Sequence, residues 1–94
     1  MNETVKNFIK VTFSAEIAFR LDKVKRGLSL RSEENLDELR SGLREIVEDR
    51  TLTLKEWGSL SDIDFEDEAD LYRYLDDCYA YFFGNREDFP VAPR

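Results

Sequence analysis

Ninety-four residues, 41% of them hydrophobic and including seven Phe, four Tyr and one Trp, can bury about two-thirds of the unfolded chain's surface in one modest core, and are too rich in core formers for a disordered chain. One cysteine, Cys78, excludes an intramolecular disulfide. The net charge of −7 is uneven: residues 1 to 50 balance ten bases against ten acids, whereas residues 51 to 94 hold four against eleven, a field that repels phosphates and attracts cationic protein surfaces.

From Val5 to Leu21 nearly every odd position is apolar (Val5, Ile9, Val11, Phe13, Ala15, Ile17, Phe19, Leu21), with Phe8 and Ala18 as even-numbered exceptions. That period of two predicts a half-buried strand. At ~3.3 Å per residue it would exceed about 50 Å, so a bulge or bend is expected inside it. A competing reading ends the strand near Phe13 and starts a helix capped by Ser14, with Ile17, Leu21, Val24 and Leu28 as one stripe and Gly27 as its stop. Phe19 separates the two, because on that helix it would point about 160° from Leu21. The extended strand is the favoured reading.

Ser32 is placed to cap a helix over 33–49, with acidic Glu33 and Glu34 in the first turn and Leu36, Leu39, Leu43, Ile46 and Val47 at helical spacing. Thr51-Leu52-Thr53-Leu54 alternates and predicts a short strand, with a turn at Gly58, Ser59 and Ser61. A last helix is predicted over 64–83, ended by Gly84 and Asn85. Leu71, Leu75, Cys78 and Phe82 form its stripe, flanked by Tyr74 and Tyr81 on one side and Tyr72, Tyr79 and Phe83 on the other. The apolar arc of about 200° is wider than packing against one core requires. No repeat or Pro/Gly linker divides the chain, and both prolines, Pro90 and Pro93, lie near its end. The expected architecture is α+β: one domain over 1–94, an N-terminal strand system packed by the two main helices, and a short extended tail from about residue 85.

Catalytic groups are scarce. Histidine is absent, which removes the commonest general base, nucleophile partner and metal ligand. A lone Cys78 on an apolar stripe reads as core. The run Asp62 to Asp70 fails as a calcium loop, which would need Gly where Asp67 stands and Glu where Arg73 stands; carboxylates at a helix N-terminus explain it. None of Gly27, Gly42, Gly58 and Gly84 belongs to a phosphate-binding loop. Lys23, Lys25 and Arg26, with Arg31 nearby, form the only positive patch. No enzyme activity, cofactor or metal is expected. No apolar run approaches the ~20 residues of a membrane span, and the opening MNETVKNF lacks a signal-peptide layout, so a cytoplasmic protein is expected.

The stretch Lys10-Val11-Thr12-Phe13-Ser14, followed by Ile17, Leu21 and Val24, then Gly27-Leu28-Ser29 and Leu39-Arg40-Ser41-Gly42-Leu43-Arg44, resembles the ribbon-helix-helix repressors and antitoxins over about residues 9 to 47. The resemblance implies a dimer that inserts a two-stranded ribbon into the DNA major groove, with Phe8, Lys10 and Thr12 facing the bases. The acidic C-terminal half would then bind a basic toxin.

The favoured function is different: an acidic protein-binding inhibitor that blocks a cationic partner, either a nucleic-acid-handling protein or a toxin, in the manner of immunity, anti-restriction or anti-CRISPR proteins of bacteria and phages. Its expected binding residues are Asp62, Asp64, Glu66, Asp67, Asp70, Tyr74, Asp77 and Tyr81, with carboxylates steering encounter and tyrosines acting as anchors. No small-molecule substrate or membrane is expected, and nucleic acid enters only through the ribbon-helix-helix alternative.

Overall fold

Asn2 opens the first helix: its side chain accepts a hydrogen bond from the Val5 amide at 2.8 Å, and Glu3 supplies a carboxylate to the first turn. A computed structural model describes residues 1–93. Among them are five helices and no strand: α1 (Glu3–Thr12), α2 (Leu21–Leu28), α3 (Glu33–Asp49), α4 (Leu54–Leu60) and α5 (Glu68–Phe83). The fold is all-helical, and the α+β expectation is wrong.

The N-terminal strand system fails for a definable reason. Val5, Phe8, Ile9 and Thr12 are the buried residues of α1, and buried Phe13 follows; their spacing is helical, and Phe8, the exception in the alternating reading, belongs to the pattern. Residues 13–20 then form turns. The Ser14 hydroxyl donates to the Val11 carbonyl at 3.1 Å, so it closes α1 rather than capping a new helix. Because α2 begins only at Leu21, Phe19 lies outside it and its direction is not set by the helix period; Leu21, Val24 and Leu28 keep the phase that the competing reading assigned them. The ribbon implied by the ribbon-helix-helix resemblance is therefore absent, since Phe8, Lys10 and Thr12 lie on one helix.

Helix α3 has the expected bounds, with Ser32 accepting from the Asn35 amide at 3.1 Å. It ends in Arg50, the one non-glycine residue with positive φ among those described (φ 51°, ψ 48°). Helix α1 crosses α3 at Gly42, where a Cβ would come 2.1 Å from Val5 Cγ2; glycine is what permits the close approach. The predicted strand at 51–54 is instead the entry to α4. Thr53 and Glu56 form a reciprocal capping box there, and Gly58 sits inside the helix rather than in a turn.

The predicted helix 64–83 ends where expected but starts later, because Asp67 is its cap, accepting from the Asp70 amide at 2.8 Å. Its wide apolar arc has a structural use: α5 is surrounded. Leu71, Tyr72, Tyr74, Leu75, Cys78, Tyr81 and Phe82 are all buried, and the rings of Phe8 and Phe13, from α1 and its C-cap, and of Phe89, from the tail, reach it. Residues 85–93 form neither helix nor strand and fold back, burying Pro90 and Ala92.

Candidate functional site

The segment 62–77 carries eight carboxylates and one arginine, and local structure uses two of those carboxylates. Asp62 fastens the 13–15 turn: its amide donates to the Phe13 carbonyl at 3.0 Å and its carboxylate accepts from the Ala15 amide at 3.1 Å. Asp67 caps α5. Beneath them the chain is held by the Trp57 indole, which donates to the Ile63 carbonyl at 2.7 Å, and by Phe65, whose ring lies 5.9 Å from Trp57 and 5.4 Å from Tyr74.

This anchoring sets Asp64 and Glu66 beside the first turns of α5, where they join Asp70, Tyr74 and Asp77 in one surface depression of about 440 Å³, completed by Phe65, Arg73, Arg86 and the tail residues Pro90, Val91 and Pro93. Five of the eight expected residues are thus brought together. Four carboxylates face two arginines there. Arg73 pairs with Asp70 at 3.1 Å and Arg86 with Asp77 at 3.5 Å, in half-exposed contacts that contribute little to stability. Both carboxylates are open to exchange one cation for another.

The tyrosines are placed differently from their expected role. Tyr74 is 6% exposed and its hydroxyl, at the buried back of the site, makes no hydrogen bond; burial, foremost, and the neighbouring Cys78 thiol push its phenol up from the ordinary range. Tyr81 lies elsewhere, buried against Phe89 at 6.2 Å with the Lys25 ammonium 4.5 Å above its ring. Neither can serve as a surface anchor while packed this way. Burial likewise raises the Cys78 thiol, the reverse of what an activated nucleophile needs.

The apolar contact surface of the depression comes from residues the sequence reading passed over, Phe65 and Val91, the latter 68% exposed. Their signal was present: Phe65 interrupts an acidic run, and Val91 stands between two prolines. Among the described residues, no group of three His, Cys, Asp or Glu is placed to hold a metal ion, and no helix is long and apolar enough to cross a membrane. Comparison with protein-family models, with curated proteins and with solved structures finds no match for this chain.

Proposed function

We propose that the protein binds another protein through the acidic depression between α5, the 62–67 loop and the tail, and that it acts by covering a cationic surface, such as a nucleic-acid groove or the working face of a basic toxin. The observation that carries this reading is the convergence of Asp64, Glu66, Asp70 and Asp77 around an apolar patch, Phe65 and Val91. Charge steers encounter and fixes orientation, while an apolar centre that loses its water holds the complex. The partner's Lys or Arg side chains would replace Arg73 and Arg86 on Asp70 and Asp77. A reducing compartment such as the cytoplasm suits the single free, buried thiol of Cys78.

Affinity capture from the host cell's lysate tests the reading, with native protein and an Asp64→Lys/Glu66→Lys/Asp70→Lys variant as paired baits. The substitutions spare Asp62 and Asp67, which hold structure. A basic protein retained by the native bait and lost from the variant is the expected result; identical retention by both baits contradicts it.

A further inference from the structure

A second surface groove lies away from the acidic depression and shares no lining residue with it. It has a volume of about 620 Å³ and is bordered by α1, α2 and the entry to α3. Its floor is apolar, built from Phe8, Val11, Ile17, Val24 and Leu28. Val11 is 60% exposed. An apolar floor open to water between two amphipathic helices is the form that receives a third helix.

The α2 wall specifies the occupant. Val24 and Gly27 of α2 line the groove, with Arg20 at the helix N-cap and Arg31 in the turn that follows it, so a small apolar centre is flanked by guanidinium groups. Of the five bases across residues 20–31, Arg20, Lys23 and Arg31 line this groove, although the chain as a whole is acidic. The end cations are held in place: Arg20 by Asp22 at 3.2 Å, Arg31 by Asn35 at 2.6 Å and by the Phe8 ring at 5.7 Å. The facing side instead contributes Glu3 from α1 and Glu16 from the 13–20 turns.

Gly27 adds an independent indication. It does not adopt positive φ and a Cβ built on it would meet nothing within 4 Å, so neither backbone geometry nor internal packing calls for glycine within α2, where it lowers helix stability. A bare backbone on the groove wall does allow another helix to approach closely. A second copy of this chain fits poorly, because a symmetric contact would bring two basic α2 walls together.

The geometry points to a docking site for an acidic amphipathic helix of a partner protein, its apolar stripe on Val11, Val24 and Gly27 and its carboxylates along the edge facing Arg20, Lys23 and Arg31. The helical part of this wall, the eight residues Leu21–Leu28, spans about 12 Å at 1.5 Å per residue, so a helix of about three turns covers it.

The probe is a helical, fluorescein-labelled 16-residue peptide with Leu at i, i+4, i+7 and i+11 and Glu along one edge of that stripe. Its controls are a scrambled peptide of equal composition and a version with Lys for Glu. Fluorescence anisotropy should show binding of the acidic helix, at least tenfold weaker binding of both controls, and at least a tenfold loss with Val11→Asp or Gly27→Phe. Amide shifts in ¹⁵N spectra should centre on Val11, Val24 and Gly27. Both substituted side chains face open space, and urea midpoints near the native value show that the loss arises at the groove; Val11→Ser repeats the test should either variant unfold. No binding at millimolar peptide, equal binding of the scrambled peptide, shifts centred elsewhere, concentration-dependent dimerisation abolished by Val11→Asp, or the same shifts produced by dodecanoate but not by peptide would each overturn the proposal.

Discussion

Tyr72 and Tyr74 are two residues apart on α5, and their hydroxyls meet opposite fates. Tyr72 donates to the Leu52 carbonyl at 2.6 Å and accepts from the Leu52 amide at 2.9 Å, fastening the link between α3 and α4, whereas the Tyr74 hydroxyl is buried without a hydrogen bond. Tyr72→Phe would strand two buried backbone groups and is expected to cost about 1 to 3 kcal/mol, while Tyr74→Phe removes an unsatisfied group and should gain about 1 kcal/mol. Urea midpoints of the two variants should shift in opposite directions. Both phenols and the Cys78 thiol are raised, by burial above all, from ordinary values of 10.0 and 9.0. The folded state therefore favours their protonated forms: this contribution is full below about pH 9 and falls as pH climbs past the unfolded-state values toward the folded ones. Stability should decline from pH 9 to 11, and Cys78→Ala should remove the earliest part of the decline.

Helices α3 and α5 were legible in the sequence because each has a long apolar stripe, and for α3 a cap just ahead of it. Leu39→Ala and Leu75→Ala should each cost about 2 to 5 kcal/mol, since both side chains are central and buried. Near-native urea midpoints would contradict that packing. Helix α1 was misread for a physical reason: Val11, Ala15 and Phe19 extended the alternation, yet Val11 faces an open groove and the other two lie in turns. The period of two was assembled from residues with unrelated environments, while Val5, Phe8, Ile9 and Thr12 marked the helix. The Thr53/Glu56 capping box was also visible but was masked by Thr/Leu alternation. At the crossing of α1 and α3, Gly42→Ala should cost about 1 to 3 kcal/mol by forcing Val5 aside, measurable by the same urea series.

At the scale of the whole molecule, the acid of 62–77 accounts for the entire net charge, because eight carboxylates and one arginine give −7 and the remainder of the chain is neutral. The sequence located this field and five of the side chains that converge in one depression. It misjudged the tyrosines, since a wide aromatic arc on α5 reflects a helix enclosed on several sides rather than a spare surface. Val91 stood out between two prolines, but the place of the tail's contact residues in the depression was not legible, because it depends on the chain folding back after Gly84, where a Cβ would sit 2.9 Å from the Ala80 carbonyl oxygen.

The most direct measurement is surface plasmon resonance of the captured partner at two salt concentrations, on native protein, an Asp70→Lys/Asp77→Lys variant and Val91→Ala. Charge reversal should slow association by about tenfold at low salt and flatten its salt dependence, whereas Val91→Ala should mainly speed dissociation. Rates unchanged in all variants would contradict the assignment of the acidic depression as the binding surface.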